Sequence, residues 1–251
     1  KPDGKFRVLV FGNSVTFGTG AAQEEIFTAR LGDHFRRNHP DRDVEIVNMA
    51  VQGGSVPVFQ QYLDKYGKTL AADLVVFAFN SAMIAQTARA GTTKNVSRIG
   101  LMANAKRLPL EIHKLLFSSY SYRTFDALFR KNLYRFLVLK EDLSTPTGYG
   151  YAFAFDAPNV DISKIQADYR SFENHLSRFA DTVARLGSEI MIVNIPERFT
   201  ISADARDNFR HYPLSKIRLN PATWIHDIAK RHQFKFCDVR PALVEARTQM
   251  L

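Results

Sequence analysis

The stretch Phe6–Phe17, FRVLVFGNSVTF, decides how the rest of this sequence is interpreted. Its apolar run predicts a buried parallel strand over Phe6–Gly12, since strands covered on both faces are almost continuously apolar. The run stops at Gly12, Asn13 and Ser14, and a glycine at that point lets the backbone turn sharply. Ser14 is therefore predicted to lie at the carboxyl end of a strand, where open α/β sheets bind their ligands.

Strands and helices alternate on both sides of an irregular middle segment. Before it, the sequence predicts a helix, a strand, a helix that begins near a proline, and another strand: Gln23–Arg37, Val44–Asn48, Pro57 onward and Leu74–Phe79. After it, apolar residues recur at helical spacing: Ile165, Tyr169, Phe172, Leu176, Phe179, Val183 and Leu186. A strand, a helix and a strand complete the pattern: Glu189–Ile195, Asn220–His232 and Phe234–Val239. We expect a three-layer α/β sandwich with a flavodoxin-like, mainly parallel five-stranded sheet of order 2-1-3-4-5.

Residues 83–163 interrupt the alternation and predict a helical, basic and aromatic insertion in a single domain spanning residues 1–251. Asn104–Lys140 holds eight Lys or Arg against two acids, so it carries six of the nine net positive charges. Apolar residues in Leu115–Lys140 recur at helical spacing. The simplest interpretation is a helix packed on the core; the alternatives are a lid, a membrane-surface helix or a docking face for a protein partner. Nucleic-acid binding is disfavoured because no recognised module accompanies the charge.

Composition narrows the classes of protein to which this chain could belong. No apolar run reaches the roughly 18 residues that a membrane-spanning helix needs. Cys237 is the single cysteine, which excludes an internal disulfide, and its apolar strand predicts a buried side chain. No cluster of histidine, cysteine and carboxylate residues has metal-ligand spacing, so the sequence predicts neither a metal nor another cofactor.

Small or polar residues follow three of the predicted strands, at Ser14, Gly53 and Asn80. Because the carboxyl ends of parallel strands share one edge of the sheet, these residues are predicted to meet there. Attack of a serine on an ester creates an oxyanion, which needs fixed hydrogen-bond donors. The backbone amides of Ser14 and Gly53 and the side-chain amide of Asn80 can supply three.

The sequence resembles the SGNH (GDSL-type) hydrolase superfamily in three blocks. They are GNSVTFGTG around Ser14, NMAVQGG from Asn48 to Gly54, and AFNS around Asn80. The resemblance implies that Ser14 is the nucleophile and first oxyanion donor, with Gly53 as the second donor and Asn80 as the third. Similarity to exported bacterial members implies an extracytoplasmic or membrane-anchored protein.

This chain departs from the family pattern in two respects. Asn13, Ala78 and Ser81 stand where the family has Asp, Gly and Asp. None of the seven histidines follows an aspartate by three positions, although the family places its base in an Asp-x-x-His block near the C-terminus. We expect that block to lie beyond Leu251, the alternative being that the protein has lost it. His211 is the other candidate base, although an ordinary loop histidine is the simpler interpretation.

The resemblance implies a serine esterase or O-acyltransferase acting on acyl esters, acetyl above all, of a glycan or a lipid. Water as acceptor gives hydrolysis, and a sugar hydroxyl gives acyl transfer. The competing interpretation is a catalytically inactive subunit that keeps the fold as a binding or assembly scaffold. The contact face of such a subunit would be Leu115–Lys140. Asp238 is interpreted as a cap at a strand end rather than as a catalytic acid.

Overall fold

The computed structural model describes residues 1, 4–90, 162–196, 198–201 and 220–249. Its strands are β1 Phe6–Phe11, β2 Val44–Asn48, β3 Leu74–Phe79, β4 Glu189–Asn194 and β5 Lys235–Asp238. The helices of these ranges are α1 Ser14–Phe17, α2 Phe27–Asn38, α3 Val56–Leu70, α4 Ala82–Ala90, α5 Ile162–Arg185, α6 Arg198–Ile201, α7 Pro221–Arg231 and α8 Arg240–Gln249.

The five strands form one parallel sheet in the order β2-β1-β3-β4-β5. β1 lies inside the sheet, where Val8 pairs with Ile46 of β2 on one side and with Leu74 of β3 on the other. The predicted α/β class and strand order are therefore confirmed. All strand carboxyl ends lie along one edge, the carboxyl edge, and all amino ends along the opposite amino edge.

One face of the sheet carries a large aromatic core beneath α3, α5 and α7. Phe77 lies at its centre, with ring centroids 6.0 Å from Phe59, 6.1 Å from Phe172 and 5.7 Å from Phe179. These are edge-to-face arrangements, the geometry that the charge distribution of aromatic rings favours. The core fixes the positions of the strands whose carboxyl ends form the site.

The predicted helical face after the middle segment is the buried stripe of α5. Six of its seven predicted apolar residues are buried in the helix: Ile165, Tyr169, Phe172, Leu176, Phe179 and Val183. The seventh, Leu186, is half-buried just after the helix ends, beside Gly187 with φ +75°. That left-handed conformation favours glycine and ends the helix, as predicted.

The opposite face of the sheet holds a smaller aliphatic cluster of Val8, Val10, Val76 and Ala78. α2, which links β1 to β2, packs against β2. This helix is shorter than predicted, because Gln23–Glu25 forms a separate 3-10 turn and Ile26 is extended. In α2, Ala29, Leu31 and Phe35 are half-buried and Phe27 is exposed, so this helix contributes less to the core than α5 does.

The prediction that Cys237 is buried is wrong, because its side chain is exposed. β5 is one of the two edge strands of the sheet, and its residues alternate between exposed and half-buried. Phe236 packs against the aromatic core and His226 of α7, so the side chains that alternate with it lie on the opposite face and meet solvent.

The predicted insertion lies largely outside the described residues, as do Leu115–Lys140 and His211. The described part of that range is α4, whose Met83 and Ile84 are fully buried in the aromatic core. In the described ranges, no helix combines the length and apolar character that crossing a membrane requires.

Candidate active site

Polar side chains end each strand at the carboxyl edge. Asn13 follows β1, Asn48 ends β2, Asn80 follows β3, Asn194 ends β4 and Asp238 ends β5. Asn13, Asn80 and Asn194 are buried. Buried polar groups persist in folded proteins when they are hydrogen-bonded, so each of these amides needs partners.

Ser14 is the first residue of the one-turn helix α1 and is half-buried. Asn13 caps this turn, with its Oδ1 accepting a hydrogen bond from the backbone N–H of Val15 at 3.2 Å. Gly18 ends the turn with φ +85°. Within the described ranges, no residue forms a hydrogen bond to Ser14 Oγ. The sequence prediction that Ser14 sits at the rim of the sheet is in accord with this geometry.

Gly12 is required at the end of β1 for a steric reason. A Cβ atom at this position would lie 2.1 Å from Thr16 Oγ1 and 2.5 Å from Thr16 Cβ. Thr16 is fully buried, so its side chain cannot swing into solvent to relieve the overlap. The glycine therefore lets α1 fold back closely over the end of β1 and so determines where Ser14 lies.

The first and third sequence blocks meet through paired side-chain amides. Asn13 Nδ2 donates to Asn80 Oδ1 at 2.8 Å, and Asn80 Nδ2 donates to Asn13 Oδ1 at 3.4 Å. Asn13 Nδ2 also donates to Gln86 Oε1 of α4 at 3.4 Å. The structure thus brings Asn80 within one hydrogen bond of the residue that precedes Ser14.

The second block is tied to the first by backbone and side-chain contacts. The N–H of Val51 donates to the Gly12 carbonyl at 3.0 Å. Asn48 Nδ2 donates to the Thr16 carbonyl at 3.1 Å and to Thr28 Oγ1 at 3.2 Å, while its Oδ1 accepts from the N–H of Ala50 at 3.0 Å. The hydrogen bonds of Asn48 therefore link α1 to the loop after β2.

Gly53 lies exposed in this loop, with φ +67°. No atom lies within 4 Å of the position that a Cβ atom would occupy, so Gly53 is needed for its backbone conformation rather than for lack of space. The next residue, Gly54, is needed because there is no space for a side chain. Its Cβ atom would lie 2.7 Å from the Phe59 ring and 2.8 Å from the Val51 carbonyl oxygen.

α4 supports the site from behind, which the sequence patterns did not reveal. Gln86 contacts Asn13, and Thr87 Oγ1 accepts a hydrogen bond from the N–H of Val56 at 3.3 Å, at the start of α3. Thr87 is fully buried. The available signal was the adjacent polar pair Gln86 and Thr87 within Ala82–Ala90, a stretch that is mostly small and apolar apart from Arg89.

Asp238 is bonded as the sequence predicts for a cap. Its Oδ1 accepts from the backbone N–H of Arg240 at 3.1 Å, at the start of α8, and from Asn194 Nδ2 at 3.1 Å. The Arg240 guanidinium lies 3.4 Å from Oδ2. These contacts account for the Asp238 carboxylate without a catalytic role.

No described histidine is bonded to Ser14. Burial lowers the pKa of His175, in the middle of α5, and the positive charge of Arg178 lowers it further. His232 lies 3.7 Å from Glu173, at the end of α7. The predicted Asp-x-x-His block and His211 both fall outside the described residues. In the part of the chain that the structure covers, no cluster of histidine, cysteine and carboxylate groups could hold a metal ion.

Comparison with known proteins yields likeness in fold. No protein-family model matches the sequence, and no curated protein matches it either. A catalytic mutant of Axe2, an acetylxylan esterase from Geobacillus stearothermophilus, is 11% identical at TM-score 0.48 over 97% of this chain and 80% of that chain. The acetyl xylan esterase AlAXEase is 10% identical at TM-score 0.48, over 97% and 82%. TesA is 10% identical at TM-score 0.45, over 92% and 76%.

Proposed function

We propose that this protein is a serine esterase of SGNH type, with Ser14 as nucleophile. The observation that carries the proposal is the link between the three blocks at the carboxyl edge. Asn13, next to Ser14, is bonded to Asn80 at 2.8 Å, and the loop that contains Gly53 is bonded to Gly12 at 3.0 Å. Three potential oxyanion donors therefore come from three neighbouring strands.

The three donors can stabilise the negative charge that develops on the carbonyl oxygen during acyl transfer. The N–H of Ser14 lies in the first turn of α1, where backbone N–H groups have no partner inside the helix. In the described structure, the Gly53 N–H forms no hydrogen bond. Asn80 keeps one Nδ2 hydrogen that no described acceptor takes. Fixed donors of this kind stabilise an oxyanion by roughly 3 kcal/mol each.

The proposed reaction has two steps. Ser14 Oγ attacks the ester carbonyl carbon and passes its proton to a base, and the carbonyl oxygen becomes the oxyanion held by the three donors. The carbonyl forms again as the C–O bond to the alcohol breaks, and the alcohol leaves with the proton from the base. Water, or a sugar hydroxyl in acyl transfer, then attacks the acyl-serine in the same way and regenerates Ser14.

The base in this proposal is a histidine outside the described residues, either in an Asp-x-x-His block beyond Leu251 or at His211. The proposed substrates are acyl esters, especially acetyl esters, of a glycan or a lipid, as the resemblance implies. We further propose that residues 83–163 form an insertion in this one domain, and that Leu115–Lys140 contacts a membrane surface or a protein partner.

One observation favours the second candidate, an inactive scaffold with the same fold. Ser14 Oγ has no histidine partner among the described residues, so no described group activates it. A scaffold would need the amide contacts for stability alone and would bind its partner through Leu115–Lys140.

Covalent labelling of the full-length protein separates the two candidates. A fluorophosphonate probe reacts with a serine that a base has activated, so we expect labelling that Ser14→Ala abolishes. Ser188→Ala is the matched control, because Ser188 Oγ donates to the Ala72 carbonyl at 2.7 Å near the opposite, amino edge. The folded protein should label equally well with that substitution. A folded full-length protein that takes up no probe would exclude the serine esterase and favour the scaffold.

A further inference from the structure

A cavity of about 280 Å³ lies where α7, β5 and the start of α8 meet. α7 ends just before the amino end of β5, so its first turn lies toward the carboxyl edge of the sheet. The cavity is therefore on the same edge as Ser14, although none of the three sequence blocks contributes to it. Its lining consists of Ala222, Thr223, His226, Phe236, Asp238 and Arg240.

The register of the sheet gives the distance from this cavity to the candidate active site. Asp238 pairs with Asn194 of β4, and Asn194 pairs with Phe79 of β3, the residue before Asn80. Neighbouring strands lie about 4.8 Å apart, so Asp238 and Phe79 are two spacings, or roughly 10 Å, apart. β1, which precedes Ser14, is one strand further away. A group bound in the cavity is thus too far from Ser14 to react there, but a chain-like substrate that follows the edge reaches both places.

Two rings form a wall of the cavity. The ring centroids of His226 and Phe236 are 4.9 Å apart, and the ring planes meet at 46°. Phe236 is half-buried against the aromatic core, whereas His226 is exposed. The faces of aromatic rings are apolar in character and carry a partial negative charge, so they attract the C–H face of a sugar ring.

Polar groups with free hydrogen-bonding capacity also line the cavity. Among the described residues, no partner takes the Thr223 hydroxyl or either ring nitrogen of His226. The Arg240 guanidinium has five N–H donors, and in the described structure its contact is with Asp238 Oδ2, at 3.4 Å. The lining thus offers donors and acceptors together, as the hydroxyl groups of a sugar require, since each hydroxyl both donates and accepts.

The same lining argues against an anion and against an acyl chain. Asp238 lies beside Arg240 in the cavity and offsets its positive charge. An acyl chain would take polar groups away from water without replacing their hydrogen bonds, which costs free energy. Cavities for drug-sized ligands measure roughly 300–1,000 Å³, so a volume of about 280 Å³ is suited to a single ring. A neutral sugar unit meets all of these conditions.

We propose that this cavity is a distal subsite, which binds one unmodified sugar unit of an oligosaccharide whose acyl ester lies at Ser14. The sugar ring packs on the two aromatic rings, and its hydroxyl groups bond to Thr223 and Arg240. No covalent bond is made or broken in the cavity. The inference rests on the proposed function, and it selects a glycan over a lipid as the carrier of the ester.

The first test is a binding experiment that does not depend on catalysis. The isotope-labelled full-length protein is titrated with unacetylated cellotetraose, xylotetraose and chitotetraose, and separately with hexanoate as a short acyl chain. We expect at least one tetrasaccharide to shift the backbone amide NMR signals of Thr223 and Arg240, and hexanoate to leave them in place. No shift with any tetrasaccharide, or a shift with hexanoate as large as theirs, would overturn the inference.

Substitution of His226 tests whether the cavity itself holds the sugar. His226→Ala should weaken binding of the tetrasaccharide by about tenfold, because one side of the aromatic wall is lost. Lys230→Ala is the matched control, since Lys230 is exposed one turn further along α7 and does not line the cavity. Equal affinities of the two variants would place the sugar elsewhere and would overturn the inference.

The second test compares esters that can and cannot reach the cavity. For an O-acetylated form of the tetrasaccharide that binds, Arg240→Ala should raise KM by about tenfold with less change in kcat, since contacts away from the reacting atoms act equally on ground state and transition state. p-Nitrophenyl acetate has no sugar chain, so the ratio of kcat/KM for the sugar ester to kcat/KM for p-nitrophenyl acetate should fall by about tenfold. A ratio equal to that of Lys230→Ala would overturn the inference.

These results distinguish the inference from the proposed function. Binding of a tetrasaccharide without any Ser14-dependent labelling would overturn the serine esterase and leave the cavity as the glycan-binding site of a scaffold. Ser14-dependent labelling without a shift at Thr223 and Arg240 would overturn the inference alone.

Discussion

The two edges of the sheet are built from different chemistry. The amino edge is held by opposite charges: Arg7 Nε lies 2.6 Å from Glu45 Oε2, Lys235 pairs with Glu189, and Lys1 pairs with Asp73. The carboxyl edge is held by neutral amides, which hydrogen-bond to one another, to the backbone and to Asp238. The two edges also differ in degree of burial. The ion pairs at the amino edge range from Arg7, with 13% of its side chain exposed, to Glu189, with 63% exposed, whereas Asn13 and Asn80 are 2% and 6% exposed.

The difference follows from solvation. Exposed ion pairs tolerate water and contribute little, about 0–1 kcal/mol each, so they can vary without much consequence. An unpaired charge at a buried edge would be costly, whereas amides supply direction without net charge. An edge built from oriented neutral dipoles is also suited to stabilise a charge that appears only during a reaction.

Asn80→Ala should have the largest effect. It removes the side-chain oxyanion donor, so we expect kcat for p-nitrophenyl acetate to fall by about 100- to 1,000-fold while KM changes less. Steady-state kinetics on the folded variant measures this. Activity within a few-fold of the unsubstituted protein would remove Asn80 from the catalytic machinery.

Gly12→Ala should be the most disruptive small substitution at the carboxyl edge. The added methyl group would overlap the buried Thr16 side chain, so we expect a loss of about 1–3 kcal/mol in the free energy of unfolding. Urea denaturation measures it, and Gly32→Ala in α2 is the matched control. No atom lies within 4 Å of a Cβ at Gly32, so that change should be neutral or stabilising. Equal effects at both glycines would contradict the steric argument.

Asn194→Ala tests whether every amide at this edge serves the reaction. Its Nδ2 bonds to Asp238, not to the Ser14 region, so the substitution should lower the free energy of unfolding by about 1–3 kcal/mol. The kcat should stay close to that of the unsubstituted protein. A loss of kcat as large as that of Asn80→Ala would show that Asn194 and the other amides at the carboxyl edge act together in the reaction.

Substitution of Asp73 at the amino edge should have the smallest effect on stability, and that effect should depend on pH. Hydrogen bonds from Lys1 and from the Arg7 N–H lower the pKa of Asp73 below its usual value of 3.8. A lowered folded-state pKa means that this contribution is present above the unfolded pKa and is lost as pH falls through the folded pKa. Asp73→Asn should therefore cost about 1 kcal/mol or less near neutral pH.

The control is the same comparison of Asp73→Asn with the unsubstituted protein at lower pH. The difference in urea stability between the two proteins should shrink as the pH is lowered from about 7 to about 3. Labelling of Ser14 at neutral pH should not change. A difference that grows in acid would mean that the sign of the pKa shift is wrong.

The strand order could be predicted because strands and helices alternate along the chain and the crossovers have a preferred hand. The interior strands β1 and β3 are also nearly continuous in apolar residues. The stripe of α5 was equally predictable, since helical periodicity records which side faces the core. α2 was harder to place: its apolar positions are half-buried, and the periodicity does not reveal that Ile26 is extended. Cys237 was misjudged because apolar neighbours do not indicate whether both faces of a strand are covered.

At the site, the sequence determined which residue types end each strand and therefore which side chains can meet at the carboxyl edge. It could not reveal that Asn13 and Asn80 bond directly, nor that Gln86 of α4 contacts Asn13, because those contacts join residues up to 73 positions apart. Directional hydrogen bonds require coordinates, since the same residues in another orientation would present oxygens where donors are needed. The sequence by itself therefore determined the sheet and the members of the candidate site, and only the tertiary structure decided which way each amide faces.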